Sequence, residues 1–136
     1  MGLPRELHSD LVSPAFAAPV VTLVVNFTES GDADAVVTLF AANRKMKLIG
    51  ASWVMSVDAQ AASAYTATLK NGSTAMTSAL DILTLAEDVG AQFVPVNGND
   101  ADLAAGDILS VDLNETGGTV TSPEDVWIQL SFQLLT

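Results

Sequence analysis

Cysteine is absent from this 136-residue chain, which excludes disulfides, thiolate nucleophiles and cysteine-bound zinc. Histidine is reduced to His8, in a proline-bearing segment far in sequence from any base or nucleophile that could orient it. A nucleophile–base–orienter triad needs a rigidly held histidine, so no catalytic site is expected. With neither residue type to draw on, carboxylates remain as metal ligands, which narrows a metal to calcium or magnesium. Bases are scarce: five Lys and Arg stand against 16 Asp and Glu, for a formal net charge of −11. None of the five follows Lys70, whereas ten acids do, and such a surface repels the phosphates of nucleic acid. No apolar run approaches the roughly 18 residues that cross a bilayer, so no membrane partner is expected. The opening "MGLPRELHSD" lacks the apolar core of a cleaved signal, and Glu6 stands where N-myristoylation wants Ser or Thr. No cleaved signal is expected, so the three Asn-x-Ser/Thr matches at Asn26, Asn71 and Asn114 are expected to be accidental and synthesis to be cytoplasmic.

Apolar residues make up 49% of the chain and charged ones 15%, a balance that buries one core rather than staying disordered. From Pro19 onward, strand follows strand. "PVVTLVVNF" sets Val21, Leu23, Val25 and Phe27 on one face and Val20, Thr22, Val24 and Asn26 on the other. "AVVTLF" follows as a short β-branched run. "RKMKLIGASWVMSVD" places Ile49, Ala51, Trp53, Met55 and Val57 on one side, with Gly50 marking a bulge. "SAYTATLK" turns Tyr65, Ala67 and Leu69 one way, and Asn71-Gly72 directly after it signals a two-residue hairpin. "TSALDILTLAEDVGA" reads either as partly helical, through Leu80, Leu83 and Leu85, or as a strand with a turn. "DVWIQLSFQLL" alternates most regularly, with Val126, Ile128, Leu130, Phe132 and Leu134 against Trp127, Gln129, Ser131 and Gln133. About eight strands at this spacing point to an all-β sandwich spanning residues 19–136.

Residues 1–18 show no strand alternation and carry Pro4 and Pro14, with Leu3, Leu7 and Leu11 at a four-residue spacing. They form a separate N-terminal arm, to be ordered either against a partner or back over its own sandwich.

The stretch "DLAAGDILSVDLNETGG" carries Asp102, Asp107, Asp112 and Glu115 and raises the question of a metal or acid/base site. Period two sends Leu109, Val111 and Leu113 inward and Ile108, Ser110 and Asp112 outward. Asp107, after Gly106, then stands at the strand entrance, where an Asx-type turn satisfies backbone donors. Upstream, "NGNDAD" from residue 97 resembles the start of a calcium loop. It lacks the Gly of the sixth position and the Glu of the twelfth, where Asp102 and Ile108 stand. No metal, cofactor or catalytic residue is therefore assigned, and the acids are read as turn and surface groups.

The ordered trio "TATLKNGSTAM", "DLAAGDILSVDL" and "VWIQLSFQLL" resembles the small jelly-roll proteins of tailed bacteriophages, over roughly residues 19–136. Relatives of this size are similar to head decoration, or cement, proteins. The resemblance implies a jelly-roll-like sandwich with an extended arm, a homotrimer seated on the capsid exterior, and the major capsid protein as partner. It implies a capsid-gripping role for the arm through Leu3, Leu7, Leu11, Pro14 and Phe16. Val20, Val24 and Trp127 would be unusual on a free surface and are candidates for a subunit or partner interface. Arg44, Lys45 and Lys47 form the one basic cluster and could meet an acidic partner. The alternative is a tail, fibre or carbohydrate-binding module, although one Tyr and two Trp leave few aromatic platforms.

Overall fold

Strict alternation of large apolar with polar residues can be satisfied only if each strand buries one face, and two such sheets must then cover each other. The computed structural model describes residues 19–28, 35–61, 63–117 and 121–135. In chain order the strands are β1 (Val20–Phe27), β2 (Ala35–Ala41), β3 (Met46–Val57), β4 (Ala64–Asn71), β5 (Thr74–Ala75), β6 (Leu80–Asp81), β7 (Ala91–Phe93), β8 (Asp102–Leu103), β9 (Ile108–Thr116) and β10 (Glu124–Leu134). A 3-10 turn, Gly98–Ala101, precedes β8. The segment around Leu80, Leu83 and Leu85 is not helical. Asp81 caps a tight turn there by accepting from the Leu83 N–H at 3.0 Å, and Ile82 is the residue that enters the core.

All pairings are antiparallel. The first sheet runs β1-β10-β3-β7 with β8 also on β3; the second runs β2-β9-β4-β5 with β6 also on β4. If β5 with β6, and β7 with β8, are each counted as one interrupted strand, eight strands result. Their orders are then 1-8-3-6 and 2-7-4-5, the winding of a jelly roll. The expected eight-stranded sandwich is therefore present.

The inward faces follow the sequence pattern closely. Leu109, Val111 and Leu113 of β9, Tyr65, Ala67 and Leu69 of β4, and Val126, Ile128, Leu130 and Phe132 of β10 are all fully buried. Trp53 lies among them, edge-on to Phe27 at 6.1 Å and Phe93 at 6.3 Å between ring centroids. Phe40 of the second sheet meets Phe132 of the first in the same way at 5.4 Å.

Two local expectations shift by one residue. Ile49 does not share a face with Ala51 and Trp53: it is exposed, and Leu48 is buried instead. Along β10, Ser131 pairs with Gly50 and Phe132 with Leu48, so Ile49 is the extra residue of a bulge, and the inward set changes parity there. The β4–β5 hairpin centres on Gly72 and Ser73, because Asn71 still pairs with Thr74. The positive φ of 61° falls on Gly72, which accepts it without steric cost, and Asn71 stays extended with its side chain free for another role.

Candidate functional site

That role is at the opening of β9. The Asn71 Nδ2 donates to Asp107 Oδ2 at 2.8 Å, and the Ala104 N–H donates to the same oxygen at 2.8 Å. The Asp107 N–H returns a bond to Ala104 O at 3.0 Å, closing a four-residue turn whose third residue, Gly106, has φ 95°. The Ala104 N–H, with Asn71 second, holds the Asp107 carboxyl below its ordinary range. The acid is an ionised staple between a turn and a neighbouring strand.

The other carboxylates of this stretch are also engaged. Lys47 Nζ lies 2.7 Å from Asp102 Oδ1 and donates to Gly98 O at 2.7 Å. The Lys47 ammonium thus bridges the Asp102 carboxylate and a backbone carbonyl of the 97–102 loop. Lys70 Nζ lies 2.7 Å from Asp112 Oδ2 on the outward face of the second sheet. Among the described residues, no three metal-ligating side chains converge.

At the opposite end of the first sheet, Asp125 adopts φ 50° within β10, a left-handed conformation that Asp tolerates better than most residues. Its Oδ2 accepts from Ser56 Oγ at 2.8 Å and its Oδ1 from Asn26 Nδ2 at 2.9 Å, while its N–H donates to Thr28 Oγ1 at 3.0 Å. One residue so clasps β1, β3 and β10 together. Ser56 chiefly, then Asn26, pulls its pKa down. Glu87 behaves oppositely: a hydrogen bond with the Asp58 carboxyl, reinforced by repulsion between the two, raises it.

Between the Lys47–Asp102 pair and the Asp125 clasp, the outward side of the first sheet carries no charge among the described residues. β1 presents Val20, Thr22, Val24 and Asn26, β10 presents Trp127, Gln129, Ser131 and Gln133, and β3 presents Ser52, Val54 and Ser56. Val20, Val24 and Trp127 are 57%, 58% and 45% exposed. Trp127 lies opposite Asn26 on one side and Val54 on the other, and Val24 opposite Gln129, so Val24, Val54 and Trp127 share one patch. Val20 is set apart, opposite Gln133 at the far end of the strand. Of the basic cluster, Arg44 and Lys45 lie exposed in the β2–β3 connection, whereas Lys47 belongs to the Asp102 pair. The arm residues Leu3, Leu7, Leu11, Pro14 and Phe16 lie outside the described residues.

Sequence reading singled out Trp127 and Val24 but not Val54 or the Asp125 clasp. Val54 follows from the β3 alternation once the bulge is placed; the clasp joins residues too distant in sequence to signal it.

No protein-family model matches the chain, and no curated protein is similar to it in sequence. In three dimensions it is similar to a chain of the cyanophage Pam1 capsid asymmetric unit, with a TM-score of 0.59 over 99% of this chain and 93% of that one. The two are 13% identical, so the likeness is one of fold.

Proposed function

We propose that this chain is a structural virion protein that binds the outer surface of a phage capsid as a homotrimer and braces the shell, without catalysis. The observation that carries the reading is the likeness of fold, along nearly the whole chain, to a chain of a phage capsid asymmetric unit. The sequence resemblance to small phage jelly rolls supports the decoration role, as does an uncharged stretch in the middle of an outward sheet face of an otherwise acidic molecule. Subunits of a repeating shell need only modest individual affinity, because lattice sites and symmetric arms act together. In this reading the uncharged patch around Val24, Val54 and Trp127 packs between subunits, and the tip of the arm grips the major capsid protein through Leu3 and Leu7.

The test has two parts. Light scattering of the purified protein is expected to give three times the 14.1 kDa chain mass. Co-sedimentation with decoration-free capsids of its own phage is expected for the full chain and lost on deleting residues 1–18, with far-UV circular dichroism unchanged. A monomer that ignores capsids would overturn the proposal.

A second reading has one observation in its favour. Trp127 is a half-exposed indole flanked by Asn26 and Gln129, a combination that suits a sugar ring and its hydroxyls. Glycan-array binding that disappears with Trp127→Ala would favour a receptor-binding module over a capsid brace.

A further inference from the structure

The sandwich is closed differently along its two sides. On one, the chain between β5 and β7 is stitched across the gap: Ser78 N–H donates to Val94 O and Val96 N–H to Met76 O, each at 2.9 Å. On the other, β1 and β2 each have one strand neighbour and one unpaired edge among the described residues. A groove of about 330 Å³ opens between them at the end where β1 begins, lined by Val21, Leu23, Phe40, Met46 and Leu134, with the exposed Arg44 at its margin.

Leu23 marks this groove as unfinished core. It belongs to the inward-facing set of β1 and pairs with Leu130, which is fully buried, yet it is 36% exposed. Open apolar space on the core side of an edge strand calls for an apolar occupant.

The chain itself carries one at the right place. The Pro19 carbonyl accepts from the Leu134 N–H at 2.9 Å, and Leu134 is a wall of the groove, so the 18 residues before Pro19 are rooted at its mouth. The nearest of them, "LVSPAFAA" from residue 11, contain no charge and include Leu11, Val12 and Phe16; Asp10 just upstream is the complement of Arg44. Phe16 stands three residues from Pro19, a reach of about 10 Å in extended chain, and the eight-residue stretch spans up to roughly 28 Å, enough to double back.

We propose that residues 11–16 of the same chain seat in the groove between β1 and β2, with Phe16 against Leu23 and Phe40, and complete the core there. The assignment does not depend on the capsid reading. It divides the arm in two: a root held by its own sandwich, and a tip with Leu3 and Leu7 directed outward to a partner.

Because the chain has no cysteine, an introduced pair reports without interference. Phe16→Cys is combined with Leu23→Cys in one full-length variant and with Thr22→Cys in another. Thr22 is the adjacent residue on the opposite face of the same strand, equally near the arm's root. Under mild oxidation at high dilution, the first pair is expected to close within one chain at least about tenfold faster than the second, as a seated segment has the higher effective concentration. Equal rates would overturn the proposal. Linkage of the first pair chiefly between chains, persisting on dilution, would overturn the same-chain assignment and place a second copy's arm in the groove. Alkylation of Leu23→Cys alone gives an independent readout: adding Phe16→Ser is expected to raise its rate several-fold, and an unchanged rate counts against the seat.

Discussion

Gln129 in the first sheet and Asp112 in the second occupy equivalent places, outward on the strand second from the open edge. Gln129 sits between Val24 and Ser52; Asp112 sits between Val36 and Thr68 and is paired with Lys70. Inward, the two strands are alike, each with a file of fully buried aliphatic residues. Burial of the core thus constrains both sheets in the same way and leaves the outward positions to be set by something else. In a chain with 16 acids and five bases, an outward face whose middle has no carboxylate, and whose acids at either end are held by Lys47 or by the Asp125 clasp, lowers the repulsion met by another copy or another acidic surface. The second sheet places an acid mid-face and neutralises it locally, as a solvated surface does.

The largest effect is expected where the sheets are alike. Leu130→Ala in the first sheet and Leu113→Ala in the second should each destabilise by about 2–5 kcal/mol in denaturant melts, since both empty a fully buried site. A loss below about 1 kcal/mol in either would show that its sheet is not packed as described.

The outward faces should then part company. Trp127→Asp is expected to cost about 2 kcal/mol or more of association free energy, as for an anchor residue at an interface centre, whereas Thr68→Asp should leave association unchanged. Light scattering across a dilution series separates the two, and equal behaviour would dissolve the contrast.

Titration sharpens the comparison further. Asp125 of the first sheet and Asp107 beside the second both have folded pKa values below their unfolded ones. Each therefore contributes stability that is complete above the unfolded pKa near 4 and is lost as pH falls through the folded value. Glu87, raised by Asp58, works in reverse: its contribution is present at low pH and fades as pH rises through its folded pKa. Melting temperature should fall on acidification below about pH 4, and Asp125→Asn with Asp107→Asn should flatten that limb. An unaltered acid limb in the double variant would mean that neither clasp matters to stability.

The smallest effect belongs to Lys70→Ala. Its pair with Asp112 is roughly a third exposed, and such surface pairs contribute about 0–1 kcal/mol, further reduced by salt.

How much of this was legible in the sequence depended on whether the deciding contact was local. In β9 and β10 every inward residue could be read directly, because strict alternation leaves one way to bury a face. In β3 both Leu48 and Ile49 are large and apolar, so the face could be assigned only once the pairing with Ser131 and Phe132 placed the bulge. Asn71-Gly72 announced the hairpin, but its centre moved one residue because Asn71 is drawn to Asp107 across the sheet. Asp107 was identified as a turn acid from Gly106 alone. The Lys47–Asp102 pair and the uncharged outward patch are products of strand order, which depends on contacts remote in sequence. The half-open Leu23 was invisible for the same reason: its alternation is ordinary, and its exposure arises because β1 is an edge.

The winding has a temporal consequence. β10, the last strand of the sandwich, lies between β1 and β3 in the first sheet. As the chain leaves the ribosome, β4 can pair with β5 and β6, and β3 with β7 and β8, while β2 waits for β9 and β1 waits longest, until β10 at the end of the sandwich. Zipping β10 into its slot is then the step that commits the fold, a non-local closure of the kind that makes all-β topologies slow. Until that moment a strand rich in valine is available to any other unpaired edge nearby, and whatever keeps β1 occupied in the interval protects the fold.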